Sequence, residues 1–344
     1  VRDTGSLFHD KNALTADPFN AAFVYAVWNR LDARGNGPTF LARSIDGGAS
    51  WEPARAIYTP TQAGGTAQTI GNRIVAVGPG VLVNVFVQID TVGNGSSSWV
   101  GVVRSTNFGQ TWGMPVRIAE HRAVGTRDPQ NTSQPVRDGA ILPSIAVGSN
   151  GRLWVAWHSA EPGGRFDRIA VSTSDDGGLS WTAPQIVNRR TDVAAFTPTL
   201  AAGRNGEVGL MHFDLRDDTS DPATLPTSAW LLTSSDGRSW RETKVWGPVD
   251  LARAPVARGY FLGDYMGLVS AGNRYRALLA LPQADPANRT EIHLLTVDPA
   301  TGTSTHTAQP LAASSAAQQA LLARAAHERT RWALSVRQRD PGQR

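Results

Sequence analysis

Short apolar runs of alternating or continuous hydrophobicity, four to nine residues long, recur along most of the chain. They are broken by Gly, Pro, Asp and Asn. Runs such as AAFVYAVWNR, VLVNVFVQID, RLWVAWHSA and EVGLMHFDLRDD are rich in Val, Phe, Trp and Leu, and each predicts a strand. After each comes a polar loop and a second short strand (TFLARS, SWVGVVRS, RIAVSTS, SAWLLTSS). Then comes a repeated polar turn and, in most units, a further short strand such as PARAIY or APQIVN. A strand also precedes each unit, as in AILPSIAVGSNG. The pattern predicts four-stranded antiparallel units, strands A to D from the inside out.

The turn between C and D repeats. Ser44–Trp51 reads SIDGGASW, Ser105–Trp112 STNFGQTW and Ser174–Trp181 SDDGGLSW, all fitting S-x-[DN]-x-G-x-[ST]-W. A fourth copy, Ser234–Trp240, is one residue shorter. The acidic or amide positions Asp46, Asn107, Asp176 and Asp236 are spaced by 61, 69 and 60 residues. Four-stranded units repeated at this period are propeller blades, so the fold expected is an all-β β-propeller. Within the box, Asp, Asn and Ser can cap the turn through backbone N–H groups, Gly takes positive φ, and Trp covers the blade edge. An EF-hand-type calcium loop needs a late Glu, which the boxes lack, so they read as scaffold and no metal site is expected.

Composition narrows the picture. There is no cysteine, which removes disulfides and thiolate metal sites. The net charge of +4 comes from the tail, where six arginines face Glu328 and Asp340. Residues 1–310 are therefore close to neutral, and the body is not a nucleic-acid binder by charge. No apolar run is long enough to span a membrane. The chain begins at Val1, which reads as a processed or truncated start. Residues 311–344 are Ala-rich with Leu322, Ala325, Trp332 and Val336 at helical spacing, so a basic C-terminal helix is expected there, after a propeller domain over 1–310.

Five units are readable, at about 8–62, 66–122, 136–192, 195–250 and 258–306, the last without a box. In a propeller the starts of A strands and the ends of B strands meet at one mouth, and the C–D boxes lie on the opposite face. The A-starts carry Asp10 and Lys11, Gln68 and Asn72, Arg137 and Asp138, Thr197, and Asp264 and Tyr265. The B-ends carry Arg30 and Asp32, Gln88 and Asp90, His158 and Glu161, Asp214, Arg216 and Asp217, and Gln283. Carboxylates and arginines converging on one mouth suit an acidic sugar, because a guanidinium fork grips a carboxylate at two points.

The boxes, with HDKNALTADP, VYAVWNR, LMHFDLRDD and RGYFLGDYMGL, resemble the Asp boxes and flanking segments of the sialidase superfamily (bacterial neuraminidase repeats), in its exo-alpha-sialidase-like bacterial branch. The resemblance covers about residues 8–300. It implies a sialidase-like β-propeller of the six-bladed type, with five blades readable here. Either an N-terminal portion is missing, or residues 1–7 and 300–316 close the ring. It implies a glycoside hydrolase on an acidic sugar or glycan, a carbohydrate partner, no cofactor, a monomer, and a secreted or periplasmic location. Carried onto this chain, it makes Arg30, Arg137 and Arg216 carboxylate clamps, Asp10 or Asp138 the acid/base, and Tyr265 beside Asp264 the nucleophile. Asp138 and Asp214 would be the carboxyl pair of an ordinary glycosidase. The chain departs from the family in having no Arg-Ile-Pro motif near its start and no evident Glu to activate Tyr265. Two alternatives stay open: a non-catalytic carbohydrate- or protein-binding propeller, and a uronate polysaccharide lyase using Tyr265 or His158 as base.

Overall fold

The computed structural model describes residues 7–203 and 206–306. The helix expected in the tail lies outside them. The described residues form twenty strands in five four-stranded antiparallel sheets, each a meander in chain order. The first is β1 (Phe8–Ala16), β2 (Val24–Leu31), β3 (Thr39–Ser44) and β4 (Arg55–Tyr58). The second is β5 (Thr66–Gly78), β6 (Val81–Val92), β7 (Gly95–Ser105) and β8 (Val116–Glu120). The third is β9 (Ser144–Val147), β10 (Leu153–Ser159), β11 (Arg168–Ser174) and β12 (Gln185–Ile186). The fourth is β13 (Ala195–Ala202), β14 (Val208–Asp214), β15 (Pro226–Ser234) and β16 (Arg241–Asp250), and the fifth β17 (Gly267–Ala271), β18 (Arg274–Pro282), β19 (Thr290–Asp298) and β20 (Thr303–His306). This is the blade architecture of a β-propeller, and the five units match the five read from the sequence. No helix among the described residues is long and apolar enough to cross a membrane.

The second strands show why the blades pack. β10 and β14 are buried at almost every position, on both faces, because a neighbouring sheet covers each side. Apolar clusters fill the boundaries between blades one and two, two and three, three and four, and four and five. β18 instead alternates exposed and buried, so one face of the fifth sheet has no apolar cover among the described residues. Val269, Leu278 and Ile292 are exposed in that sheet, and Phe8 and Leu14 in the first.

All four boxes sit on C–D turns and share one bonding scheme. Ser174 Oγ donates to Asp176 Oδ1 (2.8 Å) and accepts from Gly178 N (2.9 Å), while Asp176 accepts from Leu179 N and Ser180 N. Asn107 substitutes for the acid in the second box, accepting from Thr111 N at 2.9 Å. These bonds hold the Asp46 and Asp236 carboxyls down at about 2. Each later box also receives an arginine from the preceding blade. Arg43 donates to Phe108 O, Arg104 to Gly177 O and Arg152 to Asp236 O. The box is therefore a fastener within a hairpin and between blades.

The opposite ends of the innermost strands carry a second repeated device. β1, β5 and β13 each contain a bulge, between Asp10 and Ala13, Ile70 and Arg73, and Phe196 and Thr199. Each holds one residue at positive φ: Lys11 (54°), Gly71 (69°) and Thr197 (54°). Gly139 (68°) occupies the comparable place before β9. Bulges re-aim side chains and cluster beside functional sites. A Cβ on Gly71 would meet Pro143 Cδ at 2.6 Å as well as the disfavoured φ. Gly71→Ala is therefore expected to cost about 1–3 kcal/mol in chemical denaturation.

Candidate functional site

The bulged ends bring together side chains that are distant in sequence. Lys11 comes from the first blade, Arg73 from the second, and Asp264 and Tyr265 from the loop entering the fifth. Arg137, ahead of β9, joins them. The Asp264 carboxylate takes Arg137 Nε (3.1 Å) and Nη2 (2.7 Å) in a two-point grip, and also accepts from Lys11 Nζ. The side chains of Lys11 and Asp264 are only 10% and 14% exposed. Burial works to raise the Asp264 pKa, but Arg137 and Lys11 outweigh it and hold the carboxyl below its usual range. Lys11 N also donates to Asp10 Oδ1 at 2.8 Å.

Tyr265 stands over this group, half exposed, with Lys11 Nζ and Arg73 Cζ each 5.5 Å from its ring centre. Burial pushes the phenol up to about 12, helped by Asp264 and Asp10 and opposed by Arg73. Arg73 is different from its neighbours. Burial lowers its pKa, and among the described residues no carboxylate pairs with it. Lys11, Arg73 and Tyr265 line a cavity of about 370 Å³, together with Asn72, Pro143 and Leu142. A narrow crevice beside it is lined by Arg73, Ser144, Thr197, Asp264 and Tyr265. A desolvated guanidinium with no counter-ion, facing a cavity, is a preorganised anion site.

Of the residues named from the sequence, the structure gathers Arg137, Asp264 and Tyr265, with Asp10 at the edge. Lys11 was noted among the strand starts. Arg73 was missed, and its signal is the IGNR segment, where the bulge changes the direction of every later side chain.

The other named residues lie elsewhere. Arg30 stacks its guanidinium 4.6 Å from the Phe40 ring centre. Asp214 is fully buried and accepts from Arg216 Nε (2.6 Å) and Trp230 Nε1 (3.0 Å). Arg216 lies over the Trp230 ring and also grips Glu242 through Nη1 (2.6 Å) and Nη2 (2.9 Å). That network satisfies itself. Asp138 is buried with His158 and Asp167, and the three could in principle ring a metal ion. Each of them also accepts hydrogen bonds from the backbone. Asp138 accepts from Thr126 N and Ala140 N, Asp167 from Val124 N and Gly125 N, and His158 Nε2 from Thr197 N. With Nε2 accepting, the His158 proton sits on Nδ1, which faces Asp167 at 3.7 Å. Thr197 Oγ1 donates to Asp138 O. The trio therefore braces the bulge at Thr197 from behind.

Two larger clefts, each about 570 Å³, lie away from this cluster. One, between the fourth and fifth sheets on the box side, has its charged groups hydrogen-bonded within the protein. Arg274 pairs with Asp298, Arg241 donates to Pro299 O, and Glu207 accepts from Tyr275. The cluster at the entries of the innermost strands, the axial cluster, is smaller, but among the described residues it holds a desolvated guanidinium with no carboxylate partner, and chemistry rather than volume selects it.

Comparison with known proteins agrees with this architecture. The family described as "BNR repeat-like domain" matches residues 24–254. Among solved structures, the Hadza microbial sialidase Hz136 superposes with a TM-score of 0.55 at 17% identity, over 87% of this chain and 57% of that one. The NanB sialidase of Streptococcus pneumoniae gives 0.54 at 9% identity, over 87% and 60%. A polysaccharide lyase, the PL25 ulvan lyase, gives 0.51 at 12% identity, over 86% and 69%. The chain thus spans less than two thirds of either sialidase. These likenesses establish a shared fold. A comparison with curated proteins finds no match.

Proposed function

The chain belongs to the BNR repeat-like family, and from that premise we propose that it is a glycan-acting enzyme of the sialidase-like fold that holds an acidic sugar at the axial cluster. One observation carries the reading: Arg73 is desolvated, faces a cavity and has no carboxylate partner among the described residues. A sugar carboxylate would supply that partner. Arg137 and Lys11, held in place by Asp264, would add positive field around it. Asp264 then acts as a positioning residue. Tyr265 lies against the same cavity and would face the anomeric carbon of the bound sugar. The sialidases and the ulvan lyase that share the fold are proteins whose names state action on glycans, which supports the substrate class without choosing a reaction.

In the hydrolytic form of this reading, the Tyr265 oxygen bonds to the anomeric carbon as the glycosidic C–O bond breaks, and the Asp10 carboxylate takes the phenol proton and passes it to the leaving oxygen, which departs as an alcohol. Water then attacks the anomeric carbon, its OH staying on the sugar, the bond to Tyr265 breaks, and Asp10 carries the water's proton to the phenolate, which restores both groups. A second reading, recognition without turnover, is favoured by the Tyr265 phenol. At about 12 it is protonated at neutral pH, and Asp264 beside it is occupied by two cations.

The test is a turnover screen of sialosides, other aryl glycosides and uronate polymers with the intact protein and Tyr265→Phe. Turnover reduced at least a thousandfold by that variant, with glycan binding kept, supports the hydrolase. Glycan binding with no turnover on any of them selects the recognition reading. Turnover that Tyr265→Phe keeps in full removes Tyr265 from the chemistry.

A further inference from the structure

Between β8 and β9 lies the longest excursion outside the sheets among the described residues, 121–143. Long loops without regular structure in a compact domain are usually functional. This one is pinned throughout. Val124 N and Gly125 N donate to Asp167, Thr126 N to Asp138, and Gln130 N and Asn131 N to the buried Asp128. Arg127 bridges to Pro135 across the loop. Three buried carboxylates are therefore spent on holding it rigid.

The loop forms one wall of the second cleft of about 570 Å³. The segments that follow β10, β12 and β14 close the other sides, bringing Arg165 and Phe166, Arg190 and Asp192, and Leu215 and Asp218. These are B–C and D–A connections, so the cleft opens on the same side of the blades as the axial cluster. Its volume is that of a pocket for a ligand of several rings.

The charges in the cleft are unequally committed. Arg216 is tied to Asp214 and Glu242, and Arg190 to Asp192 at 2.7 and 2.8 Å. Arg127 donates only to Thr132 O, and Arg165 lies 5.9 Å from the Phe166 ring centre. Among the described residues no carboxylate pairs with either. Two guanidinium groups with no carboxylate partner among the described residues thus flank a half-buried phenyl ring, with Val124, Ala194 and Leu215 beside it. A pyranose has an apolar face that packs on an aromatic ring, and an acidic substituent that an arginine fork accepts.

The geometry points to this cleft as a second binding site, for acidic sugar units of an oligosaccharide whose terminal unit occupies the axial cluster. The inference rests on the proposed glycan reading for the identity of the ligand. The rigid loop joins the two places, since Arg127 lines the cleft and Arg137, ten residues on, grips Asp264 at the axis. The acidic group is a carboxylate or a sulfate ester, both of which an arginine fork accepts.

Calorimetric titration with oligogalacturonates of one to six units, and with a sulfated hexasaccharide, tests this in the intact protein. Wild-type affinity should rise at least tenfold from the single unit to the hexamer, or appear only with the sulfated probe, which would name the acidic group. Arg127→Ala/Arg165→Ala should abolish the gain. Both side chains are exposed, and Arg165→Ala alone, with an unchanged thermal midpoint, serves if the double variant is unstable. No dependence on length with no binding of the sulfated probe, or a gain that the variants keep, overturns the cleft. Arg73→Met separates the two sites. If it leaves single-unit affinity intact, the axial reading fails, while the length-dependent gain still reports on the cleft.

Discussion

Replacing Arg73 by methionine should leave the thermal midpoint unchanged or slightly raised, and weaken binding of an acidic sugar at least a hundredfold. The two effects share one cause. Arg73 is desolvated, as its lowered pKa reflects, and no carboxylate among the described residues compensates it. An unpaired, partly buried cation costs stability, so an apolar side chain of similar length removes a cost of about 0–1 kcal/mol. The ligand loses its two-point partner, and a hydrogen-bonded charge pair out of water is worth about 2–5 kcal/mol when one member is removed. Lys11 and Arg137 cannot substitute, because both are held by Asp264. Thermal melts and calorimetric titration on the same preparation check both halves. Binding that survives in a stable variant would mean that Arg73 is a structural oddity and that the anion sits elsewhere.

The site and the scaffold were legible to different degrees for physical reasons. A box is a local device, since its serine, acid, glycine and tryptophan bond within eight residues, and its spacing reports the blade period directly. The axial cluster depends on where an inner strand leaves regular pairing. Counting alternate positions along β5 from Gln68 gives no special place to Arg73, because the bulge at Gly71 breaks the alternation. Arg137, Asp264 and Tyr265 were visible because they precede their strands and need no register. Asp214 and Arg216 carried the same signal of charge at a strand end. What separates them is Glu242, 26 residues further on, which no local pattern links to Arg216.

Arg216→Met should be the most destabilising single change among the residues considered, costing about 3–5 kcal/mol in denaturant melts. The Arg216 side chain is 10% exposed, Glu242 8% and Asp214 0%, so removing the cation strands two buried carboxylates. Burial alone would raise the Glu242 pKa, and Arg216 reverses this and holds it below the usual value. In the native protein Glu242 therefore contributes stability that is present above its unfolded pKa of about 4.3 and lost as pH falls through the lower folded value. Without Arg216, the same burial leaves the folded pKa above 4.3. The contribution then reverses sign, being present below about 4.3 and lost as pH rises through the raised folded value. The variant should accordingly regain part of its deficit on moving from pH 7 to pH 4.5, where the native protein gains nothing from this group. Arg216→Met/Glu242→Gln should recover about 1–3 kcal/mol of the loss at pH 7, since a neutral amide no longer needs the cation. If Arg216→Met instead melts like the native protein and loses acidic-sugar binding, the guanidinium belongs to a ligand rather than to Glu242, and the clamp implied by the family resemblance would regain its place at the mouth.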